Sequence, residues 1–144
     1  MQNMAKNRMV LNQTEGIFQG FNRKEFGPEA VHIYNLVAEF YKSQNKLELR
    51  NYLSYPLYNV LITSYKDKNL VLPFKFDKAI SASLYSARIF SNDASMMNKL
   101  KSWHQLTCVF QMENDLGETF EKINVFERRE VDAAEGFWRL CYLS

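Results

Sequence analysis

Two histidines, His32 and His104, and two cysteines, Cys108 and Cys141, are the most reactive side chains in the sequence. A structural zinc site needs four Cys or His ligands at short spacings, and a catalytic one needs three beside an open position. Four such residues scattered from His32 to Cys141 do not supply either. Nucleophilic catalysis needs a base beside the nucleophile and a group that orients the base. Ser81 and Ser83 occupy no nucleophile elbow, and no Asp stands two or four residues from either histidine. The glycines are isolated, so no phosphate-cradling loop is present. The sequence therefore shows no catalytic, cofactor-binding or metal-ligating set. An enzyme working inside a bent sheet would need an inward-pointing ionisable group with a partner, and Glu121, Glu127 and His104 come nearest to that.

The elements that would have to position such groups fall in two blocks. Residues 1–27 are polar with scattered apolar anchors. Gly16 and Gly20 interrupt helical periodicity there, so this segment reads as an arm lying on its own domain or on a neighbouring chain. A single domain over 28–144 follows. Pro28 suits the first turn of a helix, where its missing N–H is not needed, and Val31, Tyr34, Val37, Phe40 and Tyr41 carry a helix over about 29–43. Leu47, Leu49, Tyr52 and Leu53 mark a short second helix closed by Pro56. Leu57, Val60, Leu61 and Tyr65 mark a third.

Periodicity then changes to that of strands. Residues 70–76 are expected to be extended, with Pro73 confining them to an edge or a bulge. Residues 78–91 alternate, a polar excursion follows at 91–93, and a strand starting near Trp103 places Leu106, Cys108, Phe110 and Met112 on one face. Asn114-Asp115-Leu116-Gly117 predicts a type I turn with Gly in the left-handed position. A two-residue loop would set Phe110 opposite Ile123 and Cys108 opposite Val125. A three-residue loop with a Gly bulge slips that pairing by one residue, and both remain open. A third strand is expected over 118–131, a turn at Glu135-Gly136, and a last strand from Trp138 to Leu143. Helices first and an antiparallel meander second predict an α+β fold with the helices on one face of a curved sheet.

With 144 residues and 47% apolar content, the chain can bury roughly two-thirds of its unfolded surface without a metal or disulfide. No apolar run approaches the length of a membrane span, so a soluble domain is expected, and two unclustered cysteines suit a reducing compartment. No secretory leader is read. Residues 1–14 carry Lys6 and Arg8 and no acid, a faint likeness to a mitochondrial targeting segment. Net charge is +2, too small for a dedicated nucleic-acid binder. It divides unevenly: 14 basic and 8 acidic groups stand before Ser102, and 4 basic and 8 acidic groups after it. That division favours protein partners. The 21 aromatic rings fill a core and leave anchors for an interface. Lys66, Lys68, Lys75, Lys99 and Lys101, with Met96 and Met97, are candidate contacts to acidic partners or anionic lipid.

The helical stretch 30–66, the strand 103–112 before Asp115-Leu116-Gly117, and Val125-Phe126-Glu127-Arg128 followed by Trp138-Arg139-Leu140 resemble one family. It is that of the C-terminal domain of the inner-membrane import-motor anchor, translocase subunit forty-four, and most of all its relative in the large mitochondrial ribosomal subunit. The resemblance spans residues 28–144. It implies the cone-shaped fold of nuclear transport factor two. It also implies a non-catalytic structural or adaptor subunit without a cofactor or small-molecule substrate, on the matrix side of the mitochondrial inner membrane. Partners would be protein subunits of a large complex, with limited ribosomal RNA contact and peripheral contact with anionic membrane. An accessory subunit of a respiratory or ATP-synthase complex is the first alternative, and a small-molecule-binding enzyme of the same fold the second. Phe126 and Trp138 would pack between the last two strands, with Glu127 and Arg128 on opposite faces.

Overall fold

Asn45 and Ser54 decide where two helices begin. Each turns its side chain back to accept from a backbone N–H of the first turn, Asn45 from Glu48 and Ser54 from Leu57, satisfying donors that have no intrahelical partner. The computed structural model describes residues 2–91, 102–130 and 136–144. In chain order these form α1 (Gln2–Ile17), α2 (Phe26–Lys42), α3 (Lys46–Tyr52) and α4 (Tyr55–Lys66). Strands β1 (Lys78–Ser91), β2 (Ser102–Glu113), β3 (Thr119–Arg129) and β4 (Arg139–Leu143) follow. The strands make one antiparallel sheet in sequential order, and the helices pack on one side of this curved sheet in an α+β fold.

Three expectations need correction. From residue 2 on, the segment expected as an arm lies on its own domain, but as a helix and turn that enter the core rather than as a polar strip laid over it. Gly16 lies inside α1, and Phe18 and Phe21 beyond it are buried in the core. One glycine near a helix end costs about 1 kcal/mol, far less than two buried aromatic rings return. Gly20, at φ +84°, makes the turn out of the helix. Pro56 does not close the second helix but stands in the first turn of α4. What ends α3 is Leu53, extended so as to bridge Leu140 of β4. Residues 70–76 join no strand. Leu72, Phe74 and Phe76 pack on the core, while Lys122 Nζ donates to the Lys75 carbonyl at 2.8 Å.

The hairpin resolves to the slipped register. Glu113 faces Thr119, Phe110 faces Lys122 and Cys108 faces Asn124. Asn114 N–H bonds Glu118 O, Gly117 N–H bonds Asn114 O, and Gly117 sits at φ +78°. A type I turn followed by a left-handed residue matches the twist of the flanking strands.

The face of the sheet toward the helices carries Leu106, Cys108, Phe110, Met112 and Phe126, none of them exposed. Phe26 is the hub: its ring centroid lies 5.4 Å from Phe126 and 5.6 Å from Trp138. Phe126 and Trp138 thus meet through Phe26 rather than between β3 and β4. Helix α2 seats on β1. Asn35 donates to Ala79 O and accepts from Ala79 N, both at 3.2 Å, and Asn7 of α1 does the same for Tyr85 O and Ala87 N at longer range. Two amides thereby fill backbone positions at the sheet edge that a further strand would otherwise occupy.

Candidate functional site

Strand alternation, not any sequence motif, assembles the most functional-looking surface. The residues of β2 and β3 that point away from the helices form rows across the sheet. Phe90, Trp103 and Arg129 make one row, and Arg88, Gln105, Glu127 and Arg139 the next. Thr107 with Val125 and Tyr142, then Val109 with Ile123, make a less polar middle. Ile123 and Tyr142 are about half exposed, at 48% and 54%, so this face is not covered.

Glu127 lies between two clefts. One, of about 240 Å³, is walled by Trp103, Phe137 and Tyr55 and edged by Arg128, Arg129 and Arg139. The other, of about 400 Å³ and more open, is lined by Arg88, Gln105, Cys141 and Tyr142. Burial raises the Glu127 carboxyl above its usual range, and hydrogen bonds from Cys141 and Gln105 and the charges of Arg139 and Arg129 pull it part of the way back. Cys141 is pushed up to about 12, chiefly by burial and then by Glu127, which leaves a thiol rather than a nucleophilic thiolate. Arg139 is held in place by its own bonds, Nη1 donating to Arg50 O at 2.8 Å and to Leu53 O at 3.4 Å. Arg129 lies over the Trp103 ring, 5.5 Å from its centroid. A third cleft, of about 490 Å³, sits at the rim between α2 and the hairpin, lined by both acids and lysines.

On the helix side, His104 is wholly buried and bonded at both ring nitrogens. Thr14 Oγ1 lies 2.8 Å from Nδ1 and Glu130 Oε1 lies 2.8 Å from Nε2. Burial lowers its pKa more strongly than Glu130 raises it, and the Thr14 hydroxyl also donates to the Val10 carbonyl one turn earlier in α1 at 3.0 Å. Thr14 and His104 are both at 0% exposure and Glu130 only partly exposed, so this Thr-His-Glu chain ties α1 to the sheet.

Of the expected contacts, Lys66 ends α4, Lys68 stands in the turn after it, and Lys75 lies near Lys122, all exposed. Met96, Met97, Lys99 and Lys101 lie outside the described residues, as do 92–93 and Glu135 of the expected turn. Phe126 and Trp138 are core, while Glu127 and Arg128 both line the smaller cleft. Arg128 lies on the helix side as well, its guanidinium 4.6 Å from the Phe18 ring centroid, as the alternation of Glu127 and Arg128 between faces predicts. Glu121 is on the outer face, bonded to Gln111 at 2.8 Å. Sequence reasoning did not join Trp103, Arg129, Phe137 and Arg139 into a site. The signal was available only in part: odd-numbered residues of β2 and β3 share a face, but the register that aligns them rests on the hairpin. No known family model matches the chain, and no curated protein matches it.

Proposed function

We propose that the chain is a non-catalytic structural or adaptor subunit that works through its outer surface. The observation that carries this is the occupied interior. The helix-facing side of the sheet is covered by Phe18, Phe26, Phe110 and Phe126 at 0–1% exposure, and the one histidine there has both nitrogens bonded. The half-exposed apolar residues and the arginine row stand on the opposite face, where a partner subunit can cover them. The likeness to the import-motor anchor family supports a host at the matrix side of the mitochondrial inner membrane, first of all the large mitochondrial ribosomal subunit. An accessory role in a respiratory or ATP-synthase complex is the rival host.

Sedimentation of a tagged full-length chain from gently lysed organelles separates these. Co-migration with the large ribosomal subunit is expected. Co-migration with a respiratory or ATP-synthase complex moves the chain to the rival host, and a slow-sedimenting free chain overturns the subunit reading. Lys66, Lys68 and Lys75, all exposed, are the described lysines proposed to touch anionic lipid. Flotation with cardiolipin vesicles at low salt is expected to carry the chain upward, and failure to float removes the direct lipid contact.

A further inference from the structure

Among the described residues, the most exposed large apolar side chain is Val71, at 86%, and it stands in the connection from α4 to β1. Residues 66–71 are all exposed. Two bonds close a turn there: Leu70 N–H donates to Asp67 O at 3.2 Å, and Asn69 N–H to Asp67 Oδ1 at 3.0 Å. Beyond the turn the side chains alternate as in an extended chain. Leu72, Phe74 and Phe76 pack on the core, while Val71, Pro73 and Lys75 stand out from it. The inward positions are thus filled, and Leu70 and Val71 form an aliphatic tip between Lys68 and Lys75. Lys78 pairs with Glu113 and Glu113 with Thr119, so this segment shares one end of the sheet with the hairpin. Ser91, Ser102 and Arg129 stand at the other end, roughly 40 Å away.

We propose that residues 66–75 are a membrane-insertion tip, with Leu70 and Val71 entering the acyl region of an anionic bilayer and Lys68 and Lys75 meeting its headgroups. This rests on the anionic-lipid contact of Lys66, Lys68 and Lys75 and names the groups that give it depth. Charge alone is a weak pull. The segment holds three lysines and one aspartate, and the hairpin at the same end adds Asp115 and Glu118. Asp77, Glu113 and Asp115 line the cleft against α2 together with Lys42 and Lys78. An aliphatic group leaving water supplies what the lysines do not, and their long stems let the ammonium groups stay at the headgroups meanwhile. The backbone suits such an entry, because polar groups unpaired in lipid are costly. The N–H groups of Asn69 and Leu70 are already bonded, and Pro73 has none.

Flotation of the full chain tests this, with vesicles of cardiolipin and phosphatidylcholine and with phosphatidylcholine alone. The natural chain is expected to bind the first more tightly than the second. Val71→Asp should lower the partition coefficient about tenfold or more, since an aliphatic group is lost from the acyl region and a charge added. Lys68→Gln combined with Lys75→Gln should lower it several-fold on the cardiolipin vesicles and leave phosphatidylcholine binding unchanged. Val71 is a surface residue, so an unchanged melting curve separates lost binding from lost folding. Depth is read with Val71→Trp, whose fluorescence should be quenched by brominated acyl chains. The natural chain should not be quenched, because Trp138 is 2% exposed and Trp103 lies at the far end of the sheet. Val71→Asp floating as well as the natural chain, or an unquenched Val71→Trp, overturns the insertion tip and leaves the lysine contact standing. A natural chain that does not float overturns the tip and the lysine contact together, and leaves the adaptor reading to sedimentation.

Discussion

His104 shows how far one residue's role depends on its surroundings. Met with only its neighbours in the chain, it is a histidine beside Trp103 at the start of a strand. In the fold it is buried between a hydroxyl and a carboxylate that come from residues 14 and 130. Its pKa is lowered from 6.5 in the folded chain. The unfolded chain therefore takes up a proton as pH falls through about 6.5, and the folded one does so only at lower pH. The associated stability is fully present above pH 6.5 and is lost as pH falls toward the folded value. Glu29 and Glu127 are shifted the other way, upward from 4.5, mainly by burial. They stabilise at the acid end and lose that contribution as pH rises through their raised values. Urea midpoints measured between pH 7.5 and 5.5 should fall for the natural chain and fall less steeply for His104→Gln. Equal slopes would show that His104 is not protected in the fold.

At the scale of elements, the sequence was most legible where a local rule acts alone. Helical spacing located α2 and α4, and strand alternation located β2 with its buried Leu106, Cys108, Phe110 and Met112. The hairpin register stayed open because both loop lengths place some apolar residues inward, and the Gly117 conformation decides between them. The seating of α2 on β1 was not legible, because it rests on a contact between residues 55 positions apart. A Cβ at Gly27 would lie 2.3 Å from the Ala82 carbonyl oxygen, a rigid backbone atom on the strand. Gly27→Ala should therefore cost about 1–3 kcal/mol and lower the melting temperature by roughly 3–10 °C. An unchanged melting curve would mean that α2 does not approach β1 so closely.

For the whole molecule, the question is whether residues 1–21 are an appendage or part of the domain. The rings of Phe18 and Phe21 lie 5.3 and 5.4 Å from Trp138, and Thr14 closes the bond chain through His104. Removing one such buried ring typically costs about 3–5 kcal/mol, against a total stability of about 5–15 kcal/mol for a domain. Residues 22–144 alone should lose their cooperative thermal transition or melt far below the full chain. A transition at the same temperature in both would restore the arm reading. The same consideration explains why the chain divides less cleanly at 27/28 than composition implies: that point falls in the first turn of α2, between the buried Phe26 and Ala30.

By itself the sequence determined the α+β class, the order of helices before a meander, and the inward face of β2. Those follow from side-chain periodicity over neighbouring residues, which needs no knowledge of distant contacts. It also determined that the aromatic rings outnumber what one face of a small sheet requires. Only the tertiary structure decided which rings became core and which became surface. Phe126 and Trp138 are joined by Phe26, and Glu127, Arg129 and Arg139 gather at one end of the open face. Each of those groupings is set by strand register and by helix seating, and both depend on residues tens of positions apart meeting at once.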